Sequence, residues 1–275
     1  MTAHVAHVPR AGVSVRRRLR ATARSEWIKF RSVRSSPATL LATALIVLVG
    51  AVLLAVGYRN GWATMSPPEK ASFDPVYTSL SGIELAQLPV GALGVMTVTG
   101  EYTSGLIRGT FVATPQRAQV LAIKALIFTL AVWAVGTALS FGAFFIGQSL
   151  LASPARHVAL EDPGVLTAVF GGGLYLTLVG LFGLFIGVLL RRTAAALIAL
   201  FCFLLILPVV TEMVPGRFSS NLAEFLPGNA GGQIWKLVHG GAYALGPWQG
   251  LGVLIGYVAA AAAAGFVVIR RRDVR

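Results

Sequence analysis

Residues 100–124 read GEYTSGLIRGTFVATPQRAQVLAIK, a polar segment between two long apolar runs. The runs on either side, about 82–99 and 121–151, are each long enough for a transmembrane helix, which needs about 17–25 apolar residues. The segment must therefore lie on one side of a membrane and join two spans. Its positive charges indicate the cytoplasmic side, where short loops carry an excess of lysine and arginine.

The composition of the chain places it among membrane proteins. Of its 275 residues, 56% are hydrophobic and only 12% are charged, against about 25% charged residues in an average soluble domain. A mean hydropathy of +0.75 leaves too little polar surface to cover a soluble fold of this length. No polar block is long enough to form a separate soluble catalytic domain.

The net charge of +13 does not indicate a nucleic-acid partner, because the positive residues flank the apolar runs as membrane topology requires. With the N-terminus inside, 18 of the 23 lysines and arginines fall on inner segments and five on outer segments. This bias predicts a multi-pass protein of the plasma (cytoplasmic) membrane with both termini cytoplasmic. The single cysteine, Cys202, lies in an apolar run, where it is expected to act as a small hydrophobic residue.

The apolar runs predict an all-α polytopic fold with six transmembrane helices. Residues 1–37 are expected to form a cytoplasmic tail and an interface helix, residues 38–269 the transmembrane domain, and residues 270–275 a second cytoplasmic tail. Pro89 and Pro208 are expected to bend their helices, because proline lacks an N–H and clashes with the preceding turn. The six spans are predicted at about 38–57, 82–99, 121–151, 165–190, 194–214 and 248–269.

A basic amphipathic helix is predicted at residues 13–34. Leu19, Trp27 and Phe30 recur on one face at helical spacing, and arginines such as Arg20 lie on an adjacent face. A helix of this kind, with aromatic residues on its apolar side, typically lies in the membrane interface. Docking to a partner protein is the alternative role, and the two roles are compatible.

Polar stretches on both sides of the membrane are long enough to carry structure of their own. On the outer side, residues 59–81 are predicted to form a polar loop. Residues 215–247, rich in glycine, are predicted to form short re-entrant helices in the outer leaflet before span six. On the inner side, residues 102–112 form a helix-sized piece between Gly100 and Pro115, longer than the roughly 2–8 residues that a hairpin connection needs. A plain connecting loop is the alternative for this inner piece.

The residues that most enzymes use are missing from the predicted spans. The four histidines, at positions 4, 7, 157 and 239, lie outside them, which argues against haem or metal ligation inside the bilayer. The sequence has no H-E-x-x-H metal motif, no G-x-S-x-G nucleophile motif and no G-x-x-x-x-G-K-[ST] phosphate-binding loop. The chain is therefore predicted not to be an enzyme and to bind no metal or cofactor of its own.

Three polar residues, Glu84, Gln87 and Glu212, lie near the outer ends of spans two and five. Ionisable residues at membrane depth are costly and usually functional, so one interpretation is that the three line an outer vestibule of a transport pathway. Their boundary positions also fit simple hydration at the interface. The lack of a carboxylate nearer the midplane argues modestly against a proton-coupled carrier.

Glu101 directly follows the second predicted span, where the carbonyl groups at a helix C-terminus disfavour a carboxylate. It is therefore expected to pair with a nearby cation. The candidates are Arg108 in the same segment and Lys29 or Arg31 in the N-terminal helix. The alternative is a solvated residue at the membrane interface.

Three pieces of the sequence, taken in their order along the chain, carry a resemblance to a known family. They are Glu26-Trp27-x-Lys29-x-Arg31-Ser32-x-Arg34-Ser35 before the first span, Gly100-Glu101-Tyr102-x-x-Gly105 after the second, and Pro115-x-Arg117 with Lys124 before the third. In this order they resemble the permease subunits of ATP-binding cassette (ABC) type-2 exporters, most of all the actinobacterial branch. Ser104 and Leu106 depart from the pattern, since more polar residues are expected there.

The resemblance implies a dimer of permeases, two copies or one copy with a related permease, that meets at the first and fifth spans. Two separate ATPase subunits would carry ATP and Mg²⁺ and would contact a cytoplasmic coupling helix between spans two and three, with the N-terminal helix as a second contact. The residues expected to couple to the ATPase are Glu26, Lys29, Arg31, Glu101, Tyr102, Gly105, Arg108, Pro115 and Arg117.

The function that the resemblance implies is export of an unidentified substrate from a bacterial cytoplasm. Apolar spans suit a lipid-like or amphipathic substrate, although ion and peptide exporters share such composition. A membrane anchor, assembly or immunity protein without transport activity is the alternative interpretation. A neighbouring gene for a P-loop ATPase would favour the exporter.

Overall fold

The computed structural model describes residues 15–33, 35–103, 117–152, 154–238 and 245–271. The described residues contain no strand, and six of their helices are long and apolar enough to cross a membrane, which confirms the predicted number. The six candidate spans, called spans below, are α2, α5, α6, α7, the α8–α9 pair and α12. In chain order the helices are α1 Val15–Ser32, α2 Ser35–Gly61, α3 Pro67–Ala71, α4 Pro75–Leu80, α5 Gly82–Thr103, α6 Arg117–Leu151, α7 Val165–Leu190, α8 Thr193–Phe201, α9 Leu207–Met213, α10 Arg217–Phe225, α11 Pro227–Gly232 and α12 Pro247–Arg271.

The fourth span, α7, forms the centre of the bundle. It packs against α5, α6 and α12, and 78% of its apolar window is buried, against 22% for α2. Its crossing with α5 is close because both helices carry glycine there. A Cβ atom added to Gly94 would overlap the carbonyl oxygen of Gly180, and one added to Gly183 would overlap that of Gly91. Glycine is therefore required for the two backbones to approach this closely.

The third span, α6, is 35 residues long, about 52 Å at 1.5 Å per residue. It therefore exceeds the hydrocarbon thickness of about 30 Å. Its first turns extend on the side that the charge bias predicts to be cytoplasmic, called here the inner side. Helix α1 packs against α6 and the start of α2. Residues 104–116, which include most of the predicted coupling helix, lie outside the described residues.

The fifth span is interrupted by a π-helical turn at Cys202–Ile206, between α8 and α9. The turn directly precedes Pro208, which has no N–H and whose ring crowds the carbonyl of Leu204 one turn earlier. A π turn widens the helix locally and accommodates the missing hydrogen bond. The structural effect of Pro208 is thus a widened turn, whereas Pro89 lies inside α5 without ending that helix.

On the outer side, the segment predicted as a polar loop contains the short helices α3 and α4. Five of the six residues of α4 are buried, and α4 packs against α2 and α6. The loop prediction was wrong because the polar side chains of α4 form hydrogen bonds within their own segment. The hydroxyls of Thr78 and Ser79 donate to the carbonyls of Asp74 and Pro75, one turn earlier, so they are buried without an unpaired hydrogen-bond donor.

Between the fifth and sixth spans, α10 and α11 are followed by a 3-10 turn at Gln233–Trp235. Helix α11 packs against α12, and the 3-10 turn packs against α7. Short helices were predicted for this stretch. The turn places the Trp235 ring parallel to the Tyr77 ring of α4, with centroids 5.5 Å apart. Two outer segments that are far apart in sequence are thereby brought together.

Candidate functional site

Four charged side chains meet where α1 contacts the inner ends of the second and third spans, and we call them the inner ion-pair cluster. Glu26 and Lys29 belong to α1, Glu101 to the last turn of α5, and Lys124 to α6. The Nζ atom of Lys29 lies 2.7 Å from Glu26 Oε1 and 3.1 Å from Glu101 Oε1. The Nζ atom of Lys124 lies 2.8 Å from Glu101 Oε1 and also donates to Glu26 Oε2. Each carboxylate therefore contacts both ammonium groups, and one network joins three helices.

The inner ion-pair cluster is largely withdrawn from water. The exposed fraction of the side chain is 3% for Glu26, 8% for Lys124 and 12% for Glu101, and Lys29 is more open at 29%. A buried charge that loses its partner is strongly destabilising, so the four groups depend on one another. The four groups carry no net charge together. A neutral, fully paired cluster of this kind suits a structural contact that holds helices together better than it suits catalysis or ion binding.

The ionisation of the two α1 residues is set by their partners. Burial by itself raises the pKa of Glu26, but the Lys124 ammonium and hydrogen bonds from Lys124 and Lys29 outweigh burial and hold that pKa below its usual 4.5. Burial by itself lowers the pKa of Lys29, but its hydrogen bond to Glu26 and the charge of Glu101 outweigh burial and raise that pKa above 10.5. Both side chains are therefore charged near neutral pH.

The local sequence explains how α1 and α6 present their charges to each other. Glu26 and Lys29 are three positions apart and share one face of α1. Phe30 follows them and packs edge-on against Phe128 of α6, with ring centroids 6.1 Å apart. Lys124 precedes Phe128 by four positions and so lies on the same face of α6, one turn nearer the inner end. The aromatic contact thus aligns the charged residues of both helices.

The pairing expected for Glu101 is present, with Lys29 as one partner. Lys124 is a second partner that the sequence-based reasoning did not name. The available signal was its position within an apolar run, because a lysine at that depth needs a carboxylate. Arg31 lies exposed on another face of α1 and forms no ion pair with any described residue. Arg108, the third candidate, lies outside the described residues.

The structure describes only some of the other predicted coupling residues. The ring of Tyr102, in the last turn of α5, lies 5.4 Å from the guanidinium carbon of Arg191, a cation–π contact. Arg191 ends α7 with a left-handed φ of 54°, so this contact ties the turn between the fourth and fifth spans to α5. Arg117 is the first residue of α6, and its side chain is not described. Gly105 and Pro115 lie outside the described residues.

A cavity of about 280 Å³ lies beside the inner ion-pair cluster. The four charged side chains line it together with apolar residues such as Phe30, Leu93 and Phe128 and with the hydroxyl residues Ser35, Ser36 and Thr97. The ion pairs and Phe30 therefore attach α1 to the bundle at the edges of an open space.

At the outer end, one carboxylate joins two distant segments, and we call this contact the Asp74 junction. The Oδ1 atom of Asp74 accepts hydrogen bonds from the backbone N–H groups of Val76 and Tyr77, both at 2.9 Å, and caps α4. Its Oδ2 atom accepts from the backbone N–H groups of Leu237 at 2.7 Å and Val238 at 2.8 Å. Asp74 is 8% exposed, so backbone donors replace water around its charge. Sequence reasoning missed this role, although Asp-Pro at a helix start is a capping signal.

The residues predicted to line an outer vestibule differ in their surroundings. Glu84 is exposed and accepts a hydrogen bond from the Tyr77 hydroxyl at 3.0 Å. Burial and the Glu84 carboxylate raise the pKa of Tyr77, which keeps this hydroxyl protonated. Gln87 is buried, and its Oε1 atom accepts from the Tyr175 hydroxyl at 2.5 Å. Glu212 belongs to α9, and its side chain is not described.

No family model and no curated protein matches this sequence. Within the described part of the chain, no group of three or more His, Cys, Asp or Glu side chains could hold a metal ion. The function therefore has to be argued from the apolar helix bundle and from two of its polar contacts, the inner ion-pair cluster and the Asp74 junction.

Proposed function

We propose that this chain is the permease subunit of an ATP-driven ABC exporter, with ATP and Mg²⁺ bound by separate ATPase subunits. The observation that carries the proposal is the inner ion-pair cluster. It ties α1 to α5 and α6, the two spans that flank residues 104–116. A coupling helix in residues 104–116 would act directly on both spans, and the cluster would make α1 move with them.

The proposed mechanism follows from where the ATPase subunits would contact the helix bundle. Closure of the ATPase dimer on ATP would push the coupling helix, and the push would reach α5 near Glu101 and Tyr102 and α6 near Arg117. Apolar surfaces can slide past one another, whereas buried paired charges resist separation. The cluster would therefore transmit a displacement among three helices. In this proposal Gly105, Arg108 and Pro115 supply contact surface and shape for the ATPase contact.

The proposed setting is a bacterial plasma membrane with both termini in the cytoplasm. Helix α1 would lie in the inner interface, and α10 and α11 would be re-entrant in the outer leaflet. The first and fifth spans would meet a second permease, either another copy or a related chain. Their exposure supports this arrangement, since only 22% of the apolar window is buried in each.

The orientation can be tested with single cysteines in a Cys202→Ala background. Ser66 and Asn221 are exposed on the side proposed to be outside, and Ser104 is in the segment proposed to be inside. We expect an impermeant thiol reagent to label Ser66→Cys and Asn221→Cys in intact cells, and to label Ser104→Cys only after permeabilisation. Labelling of Ser104→Cys in intact cells would contradict the six-span orientation.

The transport role can be tested by affinity purification of the tagged chain from its native membranes. We expect a P-loop ATPase to copurify, and we expect the complex to hydrolyse ATP. Glu101→Gln keeps the size of the side chain and removes its charge, and Gly105→Val alters the surface of the proposed coupling helix. Both variants should insert normally and lower ATP hydrolysis by the complex severalfold. Glu161→Gln, at an exposed outer carboxylate, is the control that should have no effect.

Two outcomes would overturn the proposal. If Glu101→Gln and Gly105→Val both bind the ATPase and support the parental rate of hydrolysis, residues 100–124 are only a connector. If no ATPase copurifies with the parental chain, an anchor, assembly or immunity protein becomes the better interpretation.

A further inference from the structure

The face of α1 that points away from the inner ion-pair cluster carries a row of cations, which we call the arginine row. At about 100° per residue its members fall on one side of the helix. Glu26 is the single acidic residue of α1, and it lies on the opposite face. The described residues supply no carboxylate partner to these arginines. The row consists of exposed side chains: Arg17, Arg20, Arg24 and Arg31, with Trp27 among them.

An apolar groove of about 360 Å³ lies between α1, α2 and α6, and Arg31 is the one ionisable residue among the described residues that line it. On the α1 side, Trp27 and Phe30 form the wall, with their rings stacked at 6.4 Å. Leu40 of α2 and Ala134 of α6 are among the other wall residues. Because Leu40 and Ala134 belong to the first and third spans, the groove leads from Arg31 toward the hydrocarbon region.

We propose that this groove binds an anionic phospholipid of the inner leaflet, with the phosphate on Arg31 and one acyl chain against Leu40 and Ala134. A guanidinium group forms bidentate, charge-assisted hydrogen bonds with a phosphate. A zwitterionic headgroup would bring its own cation close to Arg31, so the guanidinium favours an anionic over a zwitterionic headgroup. The inference requires only that the spans cross a membrane, and it does not depend on the transport proposal.

The surroundings of the groove favour a lipid over a protein segment. The exposed side chains next to it are apolar, with Leu41 on α2 and Leu126 and Leu130 on α6 more than half exposed. Such a surface on two membrane spans is the kind that acyl chains cover. An acidic protein could bind the arginine row from the cytoplasm, but it would leave the groove between the two spans empty.

Trp27 lines the groove, so its fluorescence can report the occupant directly. We would reconstitute the full chain in phosphatidylcholine vesicles that contain an equal minor fraction of brominated phosphatidylglycerol or of brominated phosphatidylcholine. Bromine quenches tryptophan at short range. The Trp27→Phe variant gives the signal of the other tryptophans, and subtracting that signal leaves the quenching of Trp27. We expect brominated phosphatidylglycerol to quench Trp27 with about fivefold preference, the factor expected for one arginine near a membrane surface.

Variants of the groove distinguish a bound lipid from general attraction to a basic helix. Arg31→Gln should abolish the preference and Arg31→Lys should retain part of it. Ala134→Phe fills the groove and should lower quenching by both lipids. Arg17→Gln removes the same charge from the arginine row far from the groove and should leave the preference intact.

The proposal is overturned if Arg17→Gln and Arg31→Gln lower the preference equally, or if both brominated lipids quench Trp27 equally. It is also overturned if Trp27 is shielded from both lipids in the parental chain, as it would be under a second protein copy.

Discussion

The inner ion-pair cluster and the Asp74 junction both hold distant helices together with buried carboxylates, but they satisfy the carboxylates differently. In the inner ion-pair cluster, Glu26 and Glu101 are each bonded by the same two lysine side chains. In the Asp74 junction, a single carboxylate is bonded by four backbone N–H groups from two segments.

This difference has a mechanical consequence. Lysine side chains are long and rotatable, so the inner ammonium groups can follow their carboxylates through a small displacement of α1 or α6. Backbone N–H groups cannot move independently of their chain, so the Asp74 junction fixes α4 and residues 237–238 in one arrangement. The inner contact therefore permits a concerted shift of helices, whereas the outer contact holds its two segments in a fixed relation.

The largest effect is expected from Lys124→Met, which leaves two buried carboxylates to share Lys29. We expect a loss of about 3–5 kcal/mol in the free energy of unfolding, the usual result of removing one partner from a buried ion pair. Denaturant or thermal unfolding of the purified chain in detergent would measure it. The double variant Glu26→Gln/Lys124→Met removes one charge of each sign and should recover most of the loss. A double variant as unstable as Lys124→Met would contradict the charge-balance argument.

A smaller and more local effect is expected from Asp74→Asn. Asparagine has one carbonyl oxygen, so two of the four backbone donors lose their acceptor, and we expect a loss of about 2–3 kcal/mol. Hydrogen exchange should show lower protection at the amides of Leu237 and Val238, with little change at the inner end. Glu69→Gln is the control, because the Glu69 carboxylate caps an exposed helix start on the same side. If the two variants behave alike, the Asp74 junction does not hold the outer segments.

Lys29→Met should have a weaker effect than Lys124→Met, because Lys29 is the most exposed member of the inner ion-pair cluster. Its loss leaves both carboxylates on Lys124, and we expect a decrease of about 1 kcal/mol. The same unfolding experiment measures the decrease. Arg31→Met, two positions away on the same helix, removes an exposed cation and should leave stability in detergent unchanged. Equal losses in Lys29→Met and Lys124→Met would contradict a role for burial in the cluster.

The smallest effect is expected from pH near neutrality. Glu26 has a lowered pKa, so its contribution is complete above 4.5 and is lost as the pH falls through the folded-state value. Lys29 has a raised pKa, so its contribution is complete below 10.5 and is lost as the pH rises through the folded-state value. The stability difference between the parental chain and Glu26→Gln/Lys124→Met should therefore be flat from about pH 5.5 to 9.5. A step near pH 7 would show that another group controls the cluster.

Local sequence signals predicted the features that depend on neighbouring residues. The number of spans follows from the length of uninterrupted apolar runs, and α1 follows from helical periodicity around Trp27 and Phe30. That Glu101 pairs with a cation followed from a carboxylate placed at an unfavourable helix end, with Lys29 as one of three candidates. Lys124 was not named as a partner, because the candidates were Arg108, Lys29 and Arg31, whereas Lys124 falls within the predicted third span.

The sequence by itself determined that this protein is a bundle of six apolar helices with charged inner ends. Transfer of apolar side chains from water to lipid is summed residue by residue, and a linear sequence contains all of that information. The tertiary structure alone decided which carboxylates meet which donors. The hydrogen bonds of Asp74 to Leu237 and Val238 join residues more than 160 positions apart. Their existence depends on atoms that approach within about 3 Å, and that approach is set by the packing of all the helices between them.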